Sequence, residues 1–172
     1  FINKRIKFIM AYTTINKSSL HFNNKLYTGN GGSNSITGVG FQPDFVWSKC
    51  RDDSHNHQLF DVVRGATKRI RSDTTGAETT HAESLKSFDS DGFTMGTQTN
   101  VNQNSATYVA WNWLAGGTGV SNTDGTITST VSANTEAGFS VVSYTGNGTG
   151  GATIGHGLGV APDMIIVKNR AV

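Results

Sequence analysis

The densest run of groups able to do chemistry is Arg51-Asp-Asp-Ser-His-Asn-His57. Histidines at i and i+2 of an extended segment point the same way, so His55 and His57 with Asp52 and Asp53 could take up a metal ion. Spacing places no third ligand beside them, and a solvated surface turn is the stronger reading. Neither a metal nor a cofactor is expected, and the four residues stand as ligand-binding candidates. Asp89-Ser-Asp-Gly92 resembles the opening of a calcium loop, but Phe93 and Asn100 occupy positions where such a loop needs acceptors, so a turn is expected. Asp52, Asp53, Asp61, Glu78, Glu83, Asp89 and Asp91 offer carboxylates without a spacing that pairs an acid with a base. Serines, histidines and aspartates occur without a nucleophile-elbow context. No catalytic residue is singled out. Trp111 and Trp113 complete the candidates, since each could stack on a flat sugar face. They share a strand face with Val109, however, and that placement favours core packing.

These residues need a scaffold of strands. Tyr108-Val-Ala-Trp-Asn-Trp-Leu114 alternates with period 2, with Val109, Trp111 and Trp113 on one face and Ala110 and Asn112 on the other. Phe45-Val-Trp-Ser-Lys49 reads as a strand entered from Pro43, which cannot donate to a ladder. Gln58–Val63 and Thr67–Arg71 flank Arg64-Gly-Ala66 as a hairpin, with Lys68-Arg69-Ile70-Arg71 as an outward-facing strand. Residues 72–87 form a polar loop with room for a helical turn around Ala82–Leu85, and 97–105 form another loop. Thr126–Ser132 suits a solvated outer strand, and Gly138-Phe-Ser-Val-Val-Ser-Tyr144 is a further strand. Eight or nine short strands with closely spaced turns predict an antiparallel β-sandwich, jelly-roll-like and lectin-like.

The chain also repeats itself. Tyr27-Thr-Gly-Asn-Gly31 returns as Tyr144-Thr-Gly-Asn-Gly148, and Pro43-Asp-Phe-Val-Trp-Ser-Lys-Cys-Arg51 returns as Pro162-Asp-Met-Ile-Ile-Val-Lys-Asn-Arg170. Such periodicity defines a unit. Residues 1–26 read as a lead-in, 27–143 as a complete sandwich repeat, and 144–172 as the start of a truncated second one. Gly29 and Gly31 are expected to turn the chain through positive φ. Met164-Ile-Ile-Val167, apolar on both faces, is expected to be a central strand. If its own unit is missing, it either joins the first unit's sheet or leaves an apolar edge exposed. Trp47 is matched by Ile166, an exchange that core packing tolerates.

Composition agrees with a β-rich domain. The chain has 172 residues, 35% of them apolar, and 21 are glycines; Thr favours strands, while Gly, Asn and Ser favour turns. The net charge of +2 comes from Lys4, Arg5 and Lys7. The remainder is nearly neutral, which argues against a nucleic-acid face. Cys50 stands alone, so no disulfide forms within the chain. No run is long and apolar enough for a membrane helix, and residues 1–9 are too charged for a signal peptide. Met10-Ala-Tyr-Thr-Thr reads as the true start, with 1–9 upstream of it.

The repeated Tyr-Thr-Gly-Asn-Gly and Pro-Asp-x-[Val/Ile]-x-x-Lys-x-Arg resemble a family of tandem-repeat proteins abundant in marine phage genomes and ocean metagenomes. Met10–Lys17, Gly92–Gly96, Tyr108–Trp113 and Ser121–Gly125 match it too. The resemblance implies a virion structural or tail-fibre-like component, made in the host cytoplasm and exposed on the particle. Its partners would be host-surface glycans or other virion proteins, with homo-oligomers as a further option. The expectation is a non-enzymatic attachment module. A purely structural spacer and a polysaccharide-degrading spike domain are the alternatives.

Overall fold

The computed structural model describes residues 15–171; the expected start at Met10 and the segment before it lie outside the described residues. In chain order the strands are β1 (Phe22–Thr28), β2 (Asn34–Thr37), β3 (Phe45–Cys50), β4 (Gln58–Asp61), β5 (Lys68–Arg69), β6 (Thr79–Thr80), β7 (Leu85–Asp89) and β8 (Gly92–Met95). One helical turn, α1 (Thr99–Asn102), leads to β9 (Thr107–Trp113), β10 (Val120–Asn122), β11 (Ser129–Asn134) and β12 (Phe139–Tyr144). All pairings between these strands are antiparallel. The fold is an all-β antiparallel sandwich.

A four-stranded sheet ordered β1-β9-β3-β4 packs on a three-stranded sheet ordered β2-β8-β7. Ile36, Val46, Phe60, Leu85, Phe93 and Met95 fill the space between them, closed at one end by Val101 of α1. A second three-stranded sheet, β10-β11-β12, reaches the opposite face of the four-stranded sheet through Phe139. β3 is central, as expected from its sequence, with β9 on one side and β4 on the other.

The alternation of β9 is present, but its faces are reversed. Tyr108, Ala110 and Asn112 are fully buried, whereas Val109, Trp111 and Trp113 are only half-buried. The polar members of the inner face are tolerated because the Tyr108 hydroxyl and the Asn112 amide nitrogen find partners, although the Asn112 Oδ1 has none among the described residues. Tyr108 donates to the Thr99 carbonyl at 2.7 Å and accepts from the Gln103 N–H at 2.9 Å. Asn112 donates to the carbonyls of Asn23 and Ala110. Burial pushes the Tyr108 hydroxyl up to about 12, so it stays a neutral donor.

Other expectations change as well. β7 and β6 run through the segment read as a polar loop, with a turn at residues 81–84 in place of a helix. The hairpin after β4 is tied by a single bridge, Leu59 to Ile70, while β5 pairs with β6. Arg69 faces inward instead of outward. β11 is the middle strand of its sheet with Val131 buried, so it is no solvated outer strand. Of the two motif glycines, only Gly31 has positive φ, at 68°. Gly29 is required for closeness: a Cβ there would run into the Gln103 carbonyl.

Met164–Val167 forms no strand and pairs with none among the described residues, its four side chains 65–77% exposed. It is no central strand, because the sheet position its sequence suits is already filled by β3 between β9 and β4.

Candidate functional site

The outer face of the four-stranded sheet carries every tryptophan of the chain. Antiparallel register sets them in rows across the strands: Phe22, Trp113 and Phe45 in one, then Asn24, Trp111, Trp47 and Leu59 in the next. The row after that is Leu26, Val109 and Lys49.

The two ends of this face differ. At the first row the rings pack on one another and under Phe139. Trp113 lies 4.8 Å from Phe22, 5.3 Å from Phe45 and 5.8 Å from Phe139, nearly parallel to the last. Trp113 is thus a packing residue whose rings seat β12 on the sheet. Beside it runs a groove of about 280 Å³, lined by Ile15, Ser18, His21, Phe22, Trp113 and Phe139.

At the second row no described strand overlies the sheet. Trp111 and Trp47 meet edge to face, 6.2 Å apart at 77°, and both keep part of their surface in solvent. His57 stands against Trp47 in the same fashion and accepts its indole N–H at 2.7 Å on Nδ1. That bond fixes the Trp47 ring and the His57 tautomer, leaving Nε2 as the protonated nitrogen of a neutral imidazole. Asn24 is exposed beside Trp111, and Leu26 is 63% exposed. Lys49 donates from Nζ to the carbonyls of Cys50 and Asp53, which holds its charge at the rim.

The four residues of the polar run do not converge. They lie in an irregular segment instead of a strand, so the i, i+2 rule does not align His55 with His57. His57 turns to Trp47, while His55 meets the Gln103 side chain at 3.0 Å and Asp53 at 3.7 Å. Asp52 caps β9 by accepting from the Thr107 N–H at 2.9 Å and from its hydroxyl at 3.0 Å. The Thr107 N–H first, and the Cys50 thiol second, hold the Asp52 carboxyl below its ordinary range. Among the described residues no three His, Cys, Asp or Glu side chains form a metal-sized group.

Four further acids are structural too. Asp91, in the β7–β8 turn, accepts from the Gly38 and Gly40 N–H groups just past β2 of the same sheet. Asp44, buried, accepts from Ala115 and Gly117. Asp61 and Glu78 both pair with the buried Arg64, and Glu78 also takes a two-pronged contact from Arg170. Two carboxylates held by two guanidiniums are neutralised, which suits a tie better than an acid–base pair.

Sequence reasoning thus found Trp111 and His57 and missed Trp47, Asn24 and Lys49. The missed residues carry no motif, and only the register of β3 and β1 against β9 brings them to the same rows.

Comparison with curated proteins and with solved structures returns no match. A family described as a domain of unknown function (DUF7483) matches residues 17–172, a span that includes every strand of the sandwich. The chain belongs to that family.

Proposed function

We propose that the chain is a non-enzymatic attachment module of a phage particle that binds host-surface glycans on the open Trp47–Trp111 face. The observation that carries this reading is the pair itself. Two partly exposed indoles are held at right angles on central strands, with Asn24, Lys49 and His57 around them. Apolar ring faces accept the C–H face of a sugar, and a few fixed polar groups around them select hydroxyls. The placement on a virion rests on the repeated motifs and their resemblance to phage proteins. The absence of basic faces argues for a neutral or mildly acidic glycan over nucleic acid. A second reading, a spacer that binds other virion proteins, is favoured by the exposed apolar run Met164–Val167.

The test is retention of the chain on a panel of bacterial surface polysaccharides, with the eluted glycans sized. Saturable binding of intact glycans is expected. Trp111→Ala should weaken it about tenfold, the loss of roughly one good stacking contact, while the protein stays folded, as circular dichroism would check. Folded protein that is retained by nothing would favour the spacer reading, and shortened glycans would make the module a degrading spike domain.

A further inference from the structure

Two buried guanidiniums in this fold are treated differently. Arg64 is held by the carboxylates of Asp61 and Glu78. Arg69, only 9% exposed, has no ion pair among the described residues. Its Nε donates to the Thr79 hydroxyl at 2.8 Å, while its Nη1 is buried and bonded to nothing. Arg71, two residues on and partly exposed, has no ion pair either. Burial first, and the charge of Arg71 second, hold the Arg69 guanidinium below its ordinary value.

The acids of this region are committed elsewhere. Asp73 accepts from the Asn56 side chain and the His57 N–H, and Glu78 is shared by Arg64 and Arg170. Residues 1–14 contain no acid at all. A buried charge without a partner is the costliest of unpaired groups, and a second cation beside it adds to the cost.

The β5–β6 ribbon gathers further donors. Arg69 lies opposite Thr79, and the His81 N–H bonds the Thr67 carbonyl, which continues the ladder. Alternation then sets His81 on the face that carries Thr79 and Arg69. Its Nδ1 is also buried without a partner, and in the tautomer protonated there it donates. The Gln58 Oε1 on neighbouring β4 is an unpaired acceptor, but a neutral amide leaves the charge unbalanced.

We infer that Arg69, Arg71 and His81 form an oxyanion site at the β5–β6 edge of the sandwich, which takes a carboxylate or sulfate group. Guanidinium donors match such groups in charge and geometry. With Nε committed to Thr79, the Nη end of Arg69 is what the anion meets. The site is separate from the tryptophan face and does not rest on it.

Melting curves of the full chain at constant ionic strength in chloride test this, with sodium sulfate and galacturonate as probes. At least one should raise the melting temperature by about 3 °C, in a response that saturates by roughly 10 mM. Galacturonate acting as strongly as sulfate would place the group on an acidic sugar; sulfate acting alone would make it a free tetrahedral ion. Arg71→Gln should raise the dissociation constant about tenfold, the loss of one charge-assisted contact. Arg69→Met should abolish the response and leave the anion-free protein at least as stable, because an unbalanced buried charge is removed. A rise that stays linear and equal in parent and variants is the general salting effect of sulfate and would overturn the inference. So would no response to either probe, or a folded Arg71→Gln protein that binds as the parent does.

Discussion

The same motif occurs twice in this molecule and folds in two ways. In the first copy, Tyr27 stacks on Tyr108 at 5.0 Å and its hydroxyl donates to the Val101 carbonyl at 2.8 Å. In the second, Tyr144 ends β12 with 39% of its surface exposed. The Asn of the turn behaves alike locally: Asn30 accepts from the Gly32 N–H and Asn147 from the Thr149 N–H, which is the Asx-turn habit of that residue. Only the first turn is then clamped, by the fully buried Asn102, which donates to Asn30 and to the carbonyls of Gly32 and Gly96. Asp44 is buried and capping, Asp163 is exposed, and Phe45–Cys50 is a strand where Met164–Asn169 is not. Local sequence therefore sets the turns, while strand formation waits for a partner strand.

Matched substitutions in the two copies can break this comparison. The largest contrast should come from the tyrosines. Tyr27→Ala should cost about 3 kcal/mol of unfolding free energy, and Tyr144→Ala no more than about 0.5. Equal losses in urea titration would mean the second copy is packed as tightly as the first. Asn102→Ala is next, leaving carbonyls of the first turn without donors and costing about 2 kcal/mol, whereas Asn147→Ala should be nearly silent. Gly29→Ala should cost about 1–2 kcal/mol through overpacking against Gln103, while Gly146, with open space around its missing Cβ, should accept alanine without loss.

The smallest effect reverses the order of the copies. Arg51 is exposed and makes no ion pair among the described residues, but Arg170 binds Glu78. Burial alone would raise the Glu78 carboxyl; hydrogen bonds and charge from Arg170 and Arg64 outweigh it and hold the group below its ordinary value. A depressed acid stabilises the fold above its unfolded pKa of about 4.5, and that stability is lost as pH falls through the folded value. Melting temperature should therefore drop as pH falls below about 4.5, and less steeply in Arg170→Ala. Arg51→Ala should leave the profile unchanged.

Sequence patterning revealed β3, β9 and β12 because alternation or an apolar run survives in each. It also indicated the all-β class, since turns are spelled in Gly, Asn and Asp. It misjudged which face of β9 is inside. Trp111 and Trp113 carry more apolar surface than Tyr108 and Asn112, so residue type alone points them inward. The winning factor was hydrogen bonding to α1 and β1, which gives the Tyr108 hydroxyl and the Asn112 amide nitrogen their partners on the inner face. β7 was hidden because Lys86 and Ser87 interrupt it at a register irregularity, and β10 because its three residues have no pattern to show. The candidate face was legible only in part: Trp111 announces itself, while Trp47 and Asn24 join it through pairings between strands far apart in sequence.

The clasp at Arg170 also has a mechanical meaning. Arg170 holds Glu78, Glu78 shares Arg64 with Asp61, and Asp61 closes β4 in the main sheet. A pull applied at residue 171 is therefore carried sideways, through three ion pairs, into the four-stranded sheet. Arg170 also donates to the Ser143 hydroxyl of β12 at 2.8 Å, so the load divides between the two sheets at one side chain, and under tension the second copy behaves as a strap buckled to both.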